Sequence, residues 1–218
     1  MMVKLTITRL KKAAAEFATL ESTVANTYLY GTTDGKAIGT YIEHKFVEFL
    51  EGHYLFERGS SAKGIDLPGP HILTDIKVTS KRQPQSSCPY RDSKQKIFGL
   101  GYNLLVFVYD KTDDLATQSA RLEIVNCTFL DKERTADFTT TFRLREMLED
   151  GANVEDVAGY LNDLFLVNDE EEQRQLATLL ISSSIPQGYL GTKTRLPTSY
   201  YTEIMDLQSE IPGISRLV

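Results

Sequence analysis

Residues 103–110 read NLLVFVYD, an almost unbroken apolar run. A strand with one wet face alternates polar and apolar side chains, because successive residues point to opposite sides. Without that alternation both faces must be dry, and the strand belongs in the middle of a sheet covered by helices. The run therefore selects an α/β fold: a central mixed β-sheet flanked by helices, with additional helices toward the N- and C-terminal ends. The neighbouring segments agree. Residues 53–58 (HYLFER), 71–80 (HILTDIKVTS) and 121–130 (RLEIVNCTFL) read as strands from their β-branched and aromatic content. Apolar residues at helical spacing mark 9–29 (Leu10, Ala14, Phe17, Leu20) and 37–50 (Ile42, Phe46, Phe49, Leu50), the latter closed by Gly52. More helices are expected over 141–150, 154–166 and 170–182, with NDEEE at 168–172 as a solvated helix start. A chain of 218 residues, 41% of them hydrophobic, suits a single domain over 1–218. Within it, 1–38 reads as a helical extension, 39–130 as the core and 131–218 as a helical and loop region.

Several function classes are disfavoured. Charged residues make up 25% of the chain, which does not suit wholesale disorder. Cys88 and Cys127 are too few for a disulfide framework and have no zinc-ligand spacing, so a reduced, cytoplasmic setting is expected. No stretch approaches the roughly 20 apolar residues that span a bilayer, and the first residues lack the apolar run of a signal peptide. No membrane partner is expected. There is no Walker A pattern. The net charge of −6 argues against a surface coated in nucleic acid but not against one basic face.

The residues that carry chemistry lie in GIDLPGPHILTDIKVTS, 64–80. On a strand, Asp75 and Lys77 point to one side, while Ile72, Thr74, Ile76 and Val78 point to the other, into a core. The LPGP sequence at 67–70 marks a reversal that can carry Asp66 back beside Asp75. Two adjacent carboxylates repel unless a cation lies between them, and oxygen ligands of this kind select a hard ion such as Mg²⁺. A charged lysine beside them is no ligand, but it can orient a water or offset charge on a phosphate.

In these residues the chain resembles the PD-(D/E)XK nuclease superfamily, which includes many type II restriction endonucleases. The superfamily pattern is an acid, a spacer, then acid–x–lysine on the next strand. Asp66 matches the first acid, and Asp75-Ile76-Lys77 matches the tripeptide. Ile65 stands where the pattern has proline, and the second acid is aspartate rather than the commoner glutamate. The pattern often adds a glutamate from the preceding helix, and Glu43 is the best match, with Glu48 as the fallback. The resemblance implies a restriction endonuclease-like core over 39–130 and a magnesium-dependent deoxyribonuclease. Asp66, Asp75 and the carbonyl of Ile76 would hold Mg²⁺ (or Mn²⁺ as a substitute), Lys77 would position or activate water, and Glu43 would hold outer-shell water or a second ion. It also implies double-stranded DNA as substrate. Cutting a palindrome at both strands needs two active sites, hence a two-fold homodimer. The helices between 141 and 182 could form its interface or cover the sheet.

Residues 77–96 carry six basic side chains against Asp92 alone. Lys81, Arg82, Arg91, Lys94 and Lys96 can neutralise phosphates. Gln83 and Gln85 could read adenine edges, and Arg82 or Arg91 guanine edges, if the loop enters the major groove. Lys193 and Arg195, among tyrosines, form a second candidate for holding a nucleic-acid backbone. A polar loop with salt bridges to the acidic helices is the bland alternative for the first segment, and a self-packed connection for the second. The sequence reading favours a type II restriction endonuclease. Its rivals are a structure-specific or repair nuclease of the same superfamily and a non-catalytic DNA-binding module with the same fold. His44 is set aside because neighbours on a helix do not share a face.

Overall fold

The computed structural model describes residues 2–59, 64–87, 90–164, 166–167, 169–192 and 198–218. In chain order its first elements are β1 (Val3–Lys4), α1 (Ile7–Glu21), β2 (Ala25–Asn26), α2 (Gly35–Glu51), β3 (Tyr54–Leu55), β4 (Thr74–Ser80) and β5 (Gln85–Ser87). Then come α3 (Ser93–Phe98), β6 (Asn103–Asp114), β7 (Ser119–Leu130), α4 (Phe138–Glu149), α5 (Val154–Asp163) and α6 (Glu170–Ser182). The last are β8 (Gly191–Thr192), β9 (Thr198–Tyr200), α7 (Thr202–Met205) and β10 (Ile214–Arg216). The chain divides into two compact units, one of residues 1–86, 102–131 and 207–218, the other of residues 87–101 and 132–206.

The first unit is the expected α/β core. Its mixed sheet runs β10-β7-β6-β4, with β2 also on β7, and only the β4–β6 pair is parallel. β6 is central, and Leu104 to Tyr109 are buried on both faces as the apolar run requires. Leu105 and Phe107 meet Leu10 and Phe17 of α1 and Ile42, Phe46 and Leu50 of α2 in one core with Ile76 and Phe129. The rings of Phe17, Phe46 and Phe107 are mutually 5.0–5.7 Å apart in tilted and edge-on contacts, which aromatic quadrupoles favour. This packing lays α2 across β4, and that fixes where residues on both can meet.

Several boundaries differ from expectation. α1 ends at Glu21 rather than 29: the Ser22 and Thr23 hydroxyls donate to the Ala18 and Leu20 carbonyls, and Ala25–Asn26 then pairs with β7. α2 starts at Gly35 because the Asp34 carboxylate caps the Lys36 N–H. The 53–58 strand shrinks to Tyr54–Leu55, which pairs only with the two residues of β1. β4 begins at Thr74, after a turn in which the Ile72 and Leu73 N–H groups both donate to the Gly69 carbonyl.

The second unit is mainly helical. Ile97, Leu144, Val157, Leu161, Leu176 and Leu180 form its core. Asp137, Asn153 and Asp169 cap α4, α5 and α6, so α4 starts three residues earlier than expected. α5 stops at Asp163 rather than 166. The acidic run opens α6 with Glu170, Glu171 and Glu172 in its first turn, as expected. β8 and β9 form a small antiparallel pair. Among the described residues no helix is long and apolar enough to cross a membrane.

Candidate active site

The site grows from the edge of the sheet. β4 has β6 on one side only, so its other edge is open to whatever the preceding chain brings. Asp66 lies on no ladder strand. Pro68 and Pro70 interrupt the segment, and proline has no N–H to give a ladder. One bridge forms, Leu67 with Thr74. It is enough to bring the Asp66 carboxylate onto β4, where Oδ2 accepts the Ile76 N–H at 2.8 Å. A residue's N–H and C=O leave a strand on the same edge. The Ile76 carbonyl therefore faces the edge that Asp66 occupies.

The turn between them is held from several directions. Leu73 has φ +30°, a left-handed conformation costly for a branched residue. The Asn103 amide donates to the Ile72 carbonyl at 2.7 Å, the Asn103 N–H to the Leu73 carbonyl at 2.9 Å, and the Thr74 hydroxyl to Ile72 at 2.6 Å. On the far side, the Gly59 N–H donates to the Asp66 carbonyl at 2.7 Å. A Cβ on residue 59 would lie 1.9 Å from the Ile65 carbonyl oxygen, so only glycine lets the two backbones approach.

Around this edge lies a cavity of about 350 Å³, lined by Glu43, Arg58, Asp66, Asp75, Ile76 and Lys77 among others. Asp75 is 3% exposed, and its carboxylate lies 2.6 Å from the Lys77 ammonium. Burial nevertheless dominates and pushes the Asp75 carboxyl up to about 7, against Lys77, which pulls it down; the carboxyl of Asp66, hydrogen-bonded to it, adds to the rise. Glu43 comes from α2. Its carboxyl is also raised, by burial first and then by the charge of Asp66, with Lys77 opposing. Four of the residues singled out by sequence, Glu43, Asp66, Asp75 and Lys77, thus share one small polar space. Glu48 does not: it is exposed and pairs with Lys45 at 2.9 Å.

Among the described residues, no three His, Cys, Asp or Glu side chains are gathered as a complete metal-ligand set. The donor chemistry still suits a hard cation. Two carboxyl groups touch, one of them enclosed and reluctant to ionise, and a cation between them relieves that cost. The oxygen donors in reach of such an ion are Asp66, Asp75 and the Ile76 carbonyl, with Glu43 beside them.

The basic segment is distributed differently from its reading as one patch. Lys81, Arg82, Gln83 and Gln85 follow β4 in the first unit, whereas Arg91, Lys94 and Lys96 lie in the second. Lys81 pairs with Asp110 at 3.6 Å and Lys94 with Glu172 at 2.9 Å, so part of the positive charge is locally balanced. Lys193 and Arg195 lie outside the described residues. Two cavity residues escaped the sequence reading. Arg58, whose guanidinium donates to Glu51 at 3.1 Å, sits in a segment that read as plain strand. His44 lines the cavity beside Glu43, although successive helix residues diverge. No spacing signal marks either one.

The model of the family described as type II restriction enzyme NspV matches residues 4–216. The chain is 48% identical over 195 residues to a type II restriction enzyme NspV from Nostoc sp., an overlap of 89% of this chain and 88% of that protein. No solved structure matches it. A match that runs from β1 to β10, with nearly half of the aligned residues shared, makes this chain a member of the NspV family of type II restriction enzymes.

Proposed function

We propose that the protein is a divalent-metal-dependent endonuclease of the PD-(D/E)XK type that cuts double-stranded DNA at a specific site. The observation that carries the proposal is the convergence of Glu43, Asp66, Asp75 and Lys77 on one cavity at the edge of β4. Family membership supports the substrate class, since the Nostoc relative is a type II restriction enzyme.

Asp66, Asp75 and the Ile76 carbonyl would hold Mg²⁺, with Mn²⁺ as the substitute, and when bound the ion would offset charge on the scissile phosphate and make a nearby water more acidic. Lys77, fixed by its contact with Asp75, orients the attacking water and offsets charge growing on the phosphate oxygens. Glu43 accepts a hydrogen bond from water at the cavity wall. Arg58 adds a second cation facing the phosphate, released in part from Glu51. Water attacks phosphorus in line, the bond to the 3′ oxygen breaks, and a 5′-phosphate and 3′-hydroxyl remain. Lys81 and Arg82 beside β4 and, on the second unit, Arg91, Lys94 and Lys96, together with Lys193 and Arg195, are the basic side chains available to neutralise DNA phosphates. Cleavage of both strands of a symmetric site needs two such cavities, hence a two-fold homodimer.

Incubation with unmethylated phage DNA and Mg²⁺ should give discrete fragments on a gel, and Lys77→Ala should give none while still folding cooperatively. A Lys77→Ala enzyme that cuts at the wild-type rate rules the chemistry out. A readout without cleavage checks the ion: at pH 8, Mg²⁺ should raise the melting temperature of the wild type but not of Asp75→Asn.

A further inference from the structure

Beyond the catalytic cavity, β4 continues into a second one. A polar cleft of about 580 Å³ lies where β4 and β6 end beside the start of α2, lined by Thr32, Thr79, Ser80, Arg82, Gln83 and Gln85 among others. We infer that this cleft reads base edges of the duplex in the major groove, with Arg82, Gln83 and Gln85 as the specificity-determining side chains and Thr79 as the residue that ties them to the catalytic strand. The inference rests on the nuclease reading for its substrate and adds where sequence is recognised.

The argument is one of accounting. A loop that merely covers a surface leaves part of its backbone to water. Here every backbone N–H of 81–85 has a partner. The Lys81 N–H donates to the Tyr109 carbonyl at 2.8 Å, Arg82 N–H to the Ser80 hydroxyl at 3.3 Å, Gln83 N–H to the Ser80 carbonyl at 3.2 Å and Gln85 N–H to the Gln83 carbonyl at 2.7 Å. Residue 84 is proline, with no N–H to satisfy and a fixed φ. The Thr79 hydroxyl, buried at 4% exposure, donates toward the Gln83 and Gln85 carbonyls at 3.2 and 2.8 Å. By contrast, the guanidinium of Arg82 and the amides of Gln83 and Gln85 engage no protein partner among the described residues. An ordered backbone carrying unengaged, two-pronged hydrogen-bonding heads suits the paired edges of purines: Arg donating to guanine O6 and N7, Gln accepting from adenine N6 and donating to N7.

The link to the cut is also geometric. Thr79 follows Lys77 on the same face of β4. A strand rises about 3.3 Å per residue, so Lys77 and Ser80 are separated by about 10 Å, close to three steps of duplex DNA. The bases read here lie within a few pairs of the scissile phosphate. A mispaired edge that displaces the loop pulls on Thr79, and through it on the strand holding Asp75 and Lys77.

The test is selection from a random duplex pool in Ca²⁺, followed by sequencing, for the wild type and for Arg82→Ala, Gln83→Ala and Gln85→Ala. The wild type should enrich a defined sequence, and each variant should lose about 10- to 100-fold of preference at one purine position. Thr79→Val should relax several positions together, and Thr79→Ser should restore them, a pattern that a merely destabilised fold would not give. Wild-type enrichment of no sequence, or the same motif at the same strength in all three alanine variants, overturns the inference. Failure of the wild type to cut with Mg²⁺ would strike the nuclease reading alone, because the selection needs no chemistry.

Discussion

At the beginning of β4 the charged groups are half-buried or buried and bonded to one another, whereas just past its end the side-chain heads of Arg82, Gln83 and Gln85 have no partner among the described residues. Asp75, Lys77 and Asp66 are held by contacts of 2.6 and 2.8 Å, with Asp75 buried and the other two half-buried. Arg82 and Gln83 lie in the open, on a loop whose main chain is fixed while their heads are free. The same strand thus supports two opposite arrangements. Enclosure shifts acidity and concentrates field, which is what bond cleavage requires. Free heads on a fixed backbone cost nothing to detach from old partners, which is what recognition of an incoming surface requires.

The sharpest way to break this contrast is to neutralise the enclosed end. Asp75→Asn should lower cleavage by at least about 10²–10³-fold, since it removes a charge aimed at the reacting centre. Its effect on folding should be the reverse of the usual loss. An aspartate ordinarily titrates at 3.8, and burial lifts Asp75 to about 7. Between those values the unfolded chain has lost its proton while the folded chain keeps it. In metal-free buffer, stability should therefore fall as pH rises through that window, by up to about 1.4 kcal/mol per pH unit, and level off above it. Asp75→Asn should flatten the slope, as read from denaturant midpoints between pH 4 and 8. An unchanged slope would mean that the carboxyl is not confined as described.

A smaller effect separates two glutamates on one helix. Glu43→Gln should slow cleavage by about 10- to 100-fold, because the group shares the cavity with Asp66 and Lys77. Glu48→Gln, five residues further along α2 and paired with Lys45 at the surface, should leave the rate unchanged. Equal rates in single-turnover cleavage by the two variants would remove Glu43 from the site.

Glu43 is instructive about what the sequence carries. The strand period placed Asp75 and Lys77 on one face, and the unbroken run at 103–110 marked a strand buried on both faces; that the two pair is a finding of the structure. Local periodicity suffices for both. The reversal at 67–70 was legible from its prolines, and so was the meeting of Asp66 with β4, although not the loss of a true strand on the Asp66 side. Arg58 was not legible, and the Thr79 hydroxyl, which by sequence reads as a donor to phosphate oxygens, instead donates to the Gln83 and Gln85 carbonyls. Arg58 lines the cavity next to Gly59, where two backbones pass in contact, and no local pattern encodes either meeting. Segment ends were lost for the same reason: the length of β3 depends on two residues of β1, some fifty positions away, and no local propensity encodes that.

The exposed end offers the gentlest test, and it lies within the loop itself. Lys81 precedes the free heads but differs from them in being a point charge already paired with Asp110 at 3.6 Å, with both side chains well exposed. Removing it should change stability by no more than about 0.5 kcal/mol, as exposed pairs are screened by solvent. If Lys81 contacts a phosphate, Lys81→Ala should weaken binding of all duplexes alike and reduce the slope of log affinity against log salt by about one. The preferred sequence should not change, because a lone ammonium carries none of the two-pronged geometry that distinguishes bases. A shift in sequence preference on removing Lys81, equal to that on removing Gln83, would erase the distinction between anchoring and reading within this loop, and with it half of the contrast between the two ends of β4.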